Sequence, residues 1–252
     1  MLHRFVCIAC LSALLAAPSM AQESRLSVGI TGGLNIPKLS ASDDNELSRD
    51  YSSRTGEAFG LTASYSLGKN LAIRADLLYS SEGGKRNGFQ AMPNPDPATQ
   101  GMMPYLYATF DNESVLNYLE LPLMVQYSYP VSTSLRLYVQ AGPYAGYLLN
   151  AKQKTRGSSI IYADRTQQIP ISVVGETVIA VPLDANTDIE DQIHSLNIGL
   201  TGGLGLGMDM GPGEIMLDIR GAYGLTRIQK DAANGKSHIG NLLLALGYTI
   251  PL

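Results

Sequence analysis

The segment from Leu196 to Met208 has the sequence LNIGLTGGLGLGM, which repeats a two-residue pattern almost without interruption. Large apolar residues take every second position except 202, and glycine, threonine or asparagine stands between them. Successive side chains of a β-strand point to opposite faces, so this alternation predicts a strand whose two faces meet different environments. One face is bulky and apolar, and the other is crowded with small residues.

Seven further segments show the same alternation, and outside the N-terminus no helical period competes with it. The eight predicted strands are Leu26–Ile36, Phe59–Leu67, Leu71–Tyr79, Leu119–Tyr127, Leu135–Ala141, Leu196–Met208, Ile215–Tyr223 and Leu242–Ile250.

Short and long connections alternate along these strands. The short ones are tight turns at Gly68–Asn70, Pro130–Ser134 and Gly211–Gly213. The long ones are Pro37–Glu57, Glu82–Glu113, Lys152–Gln192 and the briefer Gln229–His238. Outer-membrane barrels sort their connections in this way, with short periplasmic turns and longer external loops.

The composition favours the same fold. Of the 252 residues, 45% are apolar and only 16% are charged, against roughly 25% charged residues in a soluble domain. The small polar face suits the narrow lumen of eight strands, and the large apolar face then meets lipid. We therefore predict an all-β protein, an eight-stranded antiparallel up-and-down transmembrane β-barrel in a bacterial outer membrane. It is expected to be a monomer in contact with outer-membrane lipid, and the net charge of −4 argues against a nucleic-acid partner.

The first 21 residues have the pattern of a signal peptide. Arg4 precedes an apolar stretch from Phe5 to Ala17, and Ser19–Ala21 offers small residues for cleavage. Cleavage there leaves one barrel domain, residues 22–252. Both cysteines lie in the signal, so the mature chain is expected to lack disulfides, thiolate metal sites and cysteine nucleophiles.

Seven charged residues fall on the predicted lumen face. We interpret them as a structural network of paired charges that plugs the lumen, since an unpaired buried charge is costly. An ion path or gate is the alternative. The residues are Arg74, Asp76, Glu120, Arg136, Asp209, Asp218 and Arg220.

The third long loop contains a predicted β-hairpin. Ile169–Val174 and Thr177–Val181 are apolar runs separated by Gly175-Glu176. An exposed apolar hairpin is a candidate for partner binding by strand addition. The candidate residues are Ile171, Val173, Val174, Val178 and Ile179.

Three other features receive structural interpretations. The proline-rich second loop is expected to be irregular. Pro122 and Pro143 are expected to mark bulges, because proline cannot donate to the strand ladder. The acidic cluster from Asp184 to Asp191 resembles the start of a calcium loop but lacks its glycine and its closing glutamate, so a solvated loop without metal is expected.

Support for enzymatic chemistry is limited to two histidines of the mature chain. His194 and His238 adjoin Ser195 and Ser237 near the predicted outer ends of strands. Neighbouring strand residues face opposite ways, so this adjacency does not place a base on its nucleophile. We expect no catalytic residue and no cofactor.

Three motifs carry a family resemblance that runs over essentially the whole mature chain. They are NYLELPL at Asn117–Leu123, QAGPY at Gln140–Tyr144 and GLTGGLG at Gly199–Gly205. Together they resemble the PorT-like outer-membrane β-barrel family. The resemblance implies an eight-stranded outer-membrane barrel, and the founding member is linked to protein secretion across that membrane.

The expected function is therefore that of a non-enzymatic barrel. It would act as a membrane scaffold, a surface-binding protein or an accessory of secretion or assembly, through its extracellular loops. The alternatives are a rim enzyme that modifies lipid or peptide and a narrow conduit for small solutes.

Overall fold

The computed structural model describes residues 25–41, 46–47, 50–231 and 237–252. The predicted signal peptide and its cleavage site lie outside these residues. Eight long strands dominate the described chain. They are β1 (Leu26–Ala41), β3 (Gly56–Ser66), β4 (Leu71–Pro93), β5 (Tyr105–Pro130), β6 (Leu135–Arg156), β12 (Leu196–Met210), β13 (Gly213–Gly224) and β14 (Ser237–Pro251).

The eight strands close into a ring. Each pairs antiparallel with its neighbours in chain order, and β14 pairs with β1 from Ser27↔Pro251 to Ala41↔Ser237. Where all eight strands pair, this closure leaves no open sheet edge. The predicted eight-stranded up-and-down barrel is confirmed, and each predicted strand lies within an observed one, except that the second ends at Ser66, one residue early.

Shorter elements decorate the long connections. They are β2 (Ser52–Ser53), α1 (Pro97–Gln100), β7 (Ser158–Ser159), β8 (Val173–Val174), β9 (Thr177–Val178), β10 (Val181–Pro182), β11 (Ala185–Asp188) and a 3₁₀ turn at Glu190–Gln192. None of the helices in the described part of the chain has the length and hydropathy needed to cross a bilayer.

The second long loop is irregular at its tip, where only α1 interrupts residues 94–104, but the prediction was wrong for its flanks, which are strands. Strands β4 and β5 stay paired from Leu71↔Tyr127 out to Pro93↔Tyr105. A membrane-spanning strand needs about 9–11 residues, whereas β5 has 26 and β4 has 23. The barrel wall therefore continues well beyond the membrane on the side opposite the short turns.

The prediction of bulges at Pro122 and Pro143 was also wrong. The ladder between β4 and β5 stops opposite Pro122 and resumes in the same register. The ladder between β5 and β6 does the same opposite Pro143. Each proline removes a donor without inserting a residue. The register shift lies instead between Asn117 and Tyr118, farther out along β5.

Candidate functional site

The outer surface of the barrel carries a continuous apolar belt. Its side chains alternate with buried ones along every long strand, as a lipid-facing wall requires. Tyrosines lie at both ends of the belt. Tyr65, Tyr127 and Tyr129 are near the short turns, whereas Tyr147 and Tyr223 are at the opposite end, all of them exposed. Amphipathic rings take these positions at the two interfaces of a bilayer.

Inside the belt, two arginines and two aspartates form a closed ring of ion pairs. Arg74 Nε lies 3.0 Å from Asp76 Oδ1, and Arg74 Nη1 lies 3.0 Å from Asp218 Oδ2. Arg220 Nη1 lies 2.6 Å from Asp76 Oδ2, and its Nη2 lies 3.8 Å from Asp218 Oδ2. No side chain of the four is more than 3% exposed. The ring spans the lumen, because β4 and β13 are opposite walls of the barrel.

Neighbouring polar groups hold this ring in place. The Tyr138 hydroxyl and the Gln140 amide each donate to Asp218 Oδ1 at 2.7 Å. Arg74 Nε also donates to the Thr62 hydroxyl at 3.1 Å. The Tyr138 ring lies against Gly205, where an added Cβ would overlap the ring atoms. Position 205 of the Leu196–Met208 segment must therefore be glycine, because the Tyr138 ring fills the lumen beside it.

Two of the other predicted lumen charges lie at the periplasmic mouth rather than in the ring. Arg136 Nη2 contacts Asp209 Oδ1 at 2.6 Å, and Arg136 Nε contacts Glu214 Oε1 at 2.6 Å. Arg136 and Asp209 are half exposed. Glu214 is absent from the predicted set, although its position on the inward face of β13 was a signal for it.

Glu120 forms no ion pair with any described residue, so the predicted pairing does not extend to it. It lies farther from the short turns than the ring, opposite Leu78. Its carboxyl group contacts that of Glu82, a second buried acid on β4. Glu82 was missed because the sequence placed it at the edge of a long loop, whereas β4 continues past it as a strand.

An apolar cluster fills the barrel beyond these acids. It combines inward-facing strand residues with side chains that the third and fourth long loops fold back into the barrel. We call it the outer cap, and its buried members are Leu39, Leu116, Tyr118, Leu148, Ala151, Ile189, Ile193, Ile228 and Ile239. The lumen is therefore filled by paired charges near the membrane centre and by hydrocarbon at its outer end.

The predicted hairpin of the third loop is present but short. Strands β8 and β9 pair only at Val173↔Val178 and Val174↔Thr177, around Gly175 in the left-handed region with φ of 64°. Ile171, Val173, Val174, Val178 and Ile179 are all exposed, Val174 the most at 65%. The sheet contains only these two strands.

The base of the hairpin is fixed to the barrel extension. Strand β7 pairs with β10, and Tyr162 exchanges backbone hydrogen bonds with Tyr107 of β5. Asp164 accepts hydrogen bonds from the Thr166 hydroxyl and from the backbone N–H groups of three residues of its turn. These bonds, that from Thr166 foremost, hold the pKa of Asp164 below its usual range.

The His238 side chain lies against the neighbouring strand and not beside the Ser237 hydroxyl. His238 stacks on Tyr223 with ring centroids 6.3 Å apart, and its Nδ1 lies 3.2 Å from the Gly224 carbonyl. Ser237 is buried on the opposite face of β14, where its hydroxyl accepts from Gln229. Within the described ranges, no group of three or more histidine, cysteine, aspartate or glutamate side chains is placed to bind a metal.

A closed eight-stranded barrel with a lipid-facing belt and a filled lumen defines the class of outer-membrane β-barrels. The sequence matches the family model described as "Outer membrane protein beta-barrel domain" over residues 20–230. The chain belongs to this family, and its place is the outer membrane. No curated protein matches the chain.

Several solved structures are similar to the chain at low identity. Neisserial surface protein A is 13% identical, with a TM-score of 0.40 over 91% of this chain and 98% of its own. Ail, the attachment invasion locus protein of Yersinia pestis, is 13% identical, with a TM-score of 0.37 over 91% and 100%. The outer membrane protease OmpT from Escherichia coli is 13% identical, with a TM-score of 0.41 over 94% and 99%.

Proposed function

We propose that this chain is a PorT-like, non-enzymatic outer-membrane barrel that captures a protein partner through its extracellular loops. It serves as a scaffold or as an accessory of secretion or assembly. It is exported by a signal peptide that is cleaved after Ala21, and it acts as a monomeric barrel. N-terminal sequencing of the mature protein tests the cleavage, with Gln22 as the expected first residue.

The exposed hairpin is the observation that carries this proposal. Its apolar side chains stand in water at the tip of a segment whose base is fixed by β7, β10 and Tyr162. A two-stranded sheet with apolar faces is suited to take up a further strand from a partner. Its fixed base reduces the conformational entropy that binding costs.

Photo-crosslinking in intact cells tests the hairpin role. A photoreactive amino acid at Val174 is expected to give a discrete adduct with a second protein. Met102, 87% exposed near α1, is the matched control, since it is an apolar side chain on a different loop. A third protein carries the photoreactive amino acid at position 171. In it, the double substitution Val174→Asp and Val178→Asp should remove the adduct without changing the amount of folded barrel.

Two outcomes would contradict the hairpin role. One is an adduct pattern at Val174 no different from that at Met102. The other is an adduct at position 171 that persists undiminished in the doubly substituted protein.

The rim-enzyme alternative is weakened by the position of His238. His238 faces Tyr223 and a carbonyl group, whereas Ser237 points to the other side of its strand. Combined substitution His194→Ala and His238→Ala is expected to leave envelope lipids and peptides unchanged in mass spectra. A modification that disappears in this variant would establish the enzyme.

The conduit alternative is weakened by the ring of Arg74, Asp76, Asp218 and Arg220, which occupies the lumen. Purified barrel in planar bilayers is expected to show no conductance steps. Reproducible steps would establish a conduit.

A further inference from the structure

A polar pocket lies in the outer extension of the barrel wall, beyond the outer cap. It has a volume of about 70 Å³, which is room for about five water molecules. Its walls come from the outer part of β4, from Tyr107 of β5 and from turns of the first and third long loops. The pocket opens on the side of the barrel opposite the short turns, and it therefore faces the outside of the cell.

The floor of the pocket is a fixed network built on Arg86, which is 5% exposed. Arg86 Nη1 donates to the backbone carbonyl groups of Glu46 and Leu47 at 3.0 Å each. Its Nη2 donates to the Ala91 carbonyl at 2.5 Å, and its Nε donates to the side chain of Gln90. Gln90 donates back to the Arg86 carbonyl at 2.8 Å. These bonds hold the first loop against β4, so the pocket has its shape before a ligand arrives.

Two aromatic rings form one part of the wall. Phe89 of β4 and Tyr107 of β5 both line the pocket, and their rings stack with centroids 6.1 Å apart and planes at 24°. Tyr162 packs edge-on against Phe89 at 6.1 Å. All three side chains are half-buried, so the rings are held in place and are still accessible from solvent. The face of an aromatic ring is negative, and it attracts the weakly positive C–H groups on one face of a sugar ring.

Polar side chains form the rest of the wall. Asn87 and Arg165 supply hydrogen-bond donors, whereas Glu46 and Asp50 supply carboxylate acceptors. Arg165 is 57% exposed, and its Nη1 lies 3.5 Å from Glu46 Oε1, so this pair is accessible to a ligand. Asp50 has a φ of 64°. This left-handed conformation costs energy in a non-glycine residue and is enriched where proteins hold ligands.

The charges that line the pocket balance. Arg86 and Arg165 carry two positive charges, and Glu46 and Asp50 carry two negative ones. The lining as a whole therefore favours neither an anion nor a cation. It matches a neutral ligand that has an apolar face and several groups that both donate and accept hydrogen bonds. A sugar ring combines these properties, because its hydroxyl groups donate and accept and its C–H groups form an apolar face.

We propose that this pocket binds one neutral sugar unit of a cell-surface glycan, with the ring packed against Phe89 and Tyr107 and its hydroxyl groups bonded to Asn87 and Arg165. Because the network around Arg86 fixes the walls, binding costs little conformational entropy of the protein. The site uses none of the hairpin residues, so it does not depend on the proposed protein partner.

A glycan array tests the pocket. Purified barrel in detergent micelles is applied to immobilised glycans from two sources, bacterial surface polysaccharides and animal cells. We expect binding to glycans that end in one neutral sugar, with competition by the corresponding free monosaccharide. The half of the array that responds identifies the source. Binding confined to glycans with acidic end groups would refute the proposal, and so would the absence of binding throughout the array.

A substitution of one ring locates the bound glycan. Tyr107→Leu should weaken binding about tenfold, measured by surface plasmon resonance on the immobilised glycan, because the aromatic face is lost. Tyr105→Leu is the matched control, since Tyr105 lies two residues away on the same face of β5 and outside the pocket. It should bind as the wild type does. Wild-type affinity in the Tyr107→Leu variant would overturn the proposal.

A measurement on the wild type keeps the proposal testable if the Tyr107→Leu variant does not fold. Hydroxyl radicals oxidise accessible aromatic and methionine side chains, and mass spectrometry locates the oxidised residues. The bound glycan should lower the oxidation of Phe89 and Tyr107 and leave that of Met102, which is 87% exposed, unchanged. Unchanged oxidation of both rings, or equal protection of Met102, would refute the site.

Discussion

The barrel has two stacked sections whose inner and outer faces have opposite chemistry. In the membrane section, β5 presents Leu119, Leu121 and Leu123 outward, while the lumen holds the ring of ion pairs. In the outer extension, the same strand presents Asp111 and Glu113 outward and buries apolar side chains such as Leu116.

This inversion follows from the surroundings and not from the strand. Where lipid lies outside, apolar residues lower the free energy on the outer face, and polar side chains are satisfied against one another inside. Where water lies outside, the hydrophobic effect drives apolar residues inward. One continuous sheet thus serves as a membrane barrel and, beyond the outer tyrosines, as a wall exposed to water.

Removal of one ring member should have the largest effect on the membrane section. Asp76→Ala leaves Arg74 and Arg220 with uncompensated charge, which should lower the free energy of unfolding by about 3–5 kcal/mol. Urea unfolding in lipid vesicles measures this loss. Asp209→Ala at the half-exposed mouth is the control and should cost less than about 1 kcal/mol. Equal losses for the two variants would contradict a difference between lumen and mouth.

A cavity in the outer cap should be the next most costly change. Leu116→Ala removes a side chain that is 1% exposed and should destabilise by about 3 kcal/mol. Leu119→Ala, three residues away on the lipid face, should cost less than half as much, because lipid tails fill the space. The same vesicle unfolding assay compares them, and a larger loss for Leu119→Ala would reverse the assigned faces.

A smaller loss is expected from added volume beside the ring. Gly205→Ala forces the Tyr138 ring away from Asp218 and should cost about 1–3 kcal/mol. Gly221→Ala is the control, since its Cβ would meet its nearest neighbour, the Asn241 carbonyl, at 4.0 Å. If both variants unfold at the same urea concentration as the wild type, Gly205 does not fix the position of Tyr138.

The hairpin should contribute least to stability. Val174→Asp replaces a side chain that is 65% exposed and should change the free energy of unfolding by no more than about 0.5 kcal/mol. A larger loss in the urea assay would mean that the hairpin packs on the barrel and is not a surface for partners.

Alternation predicted the membrane section well, because lipid imposes a strict period of two on every strand. It failed in the outer extension, where prolines near residues 93–104 suggested an irregular loop although the flanking residues pair as strands. Position on a face also identified the ring residues but not their partners. Which arginine meets which aspartate depends on the curvature that brings β4 and β13 together, and no local pattern encodes it.

The outer cap was missed for a related reason. Ile189, Ile193 and Ile228 come from loops, and an isolated apolar residue in a loop carries no period. Glu82 was missed because the predicted end of a strand fell beside it.

A cysteine scan along β5 tests the inversion most directly. In a chain whose two cysteines, Cys7 and Cys10, are replaced by serine, single cysteines at 111, 113, 121 and 123 are probed in intact cells. The account predicts that a membrane-impermeant maleimide labels Asp111→Cys and Glu113→Cys, whereas Leu121→Cys and Leu123→Cys resist it and report an apolar environment through a polarity-sensitive dye. Labelling of all four positions alike, or of positions 121 and 123 alone, would contradict the inversion.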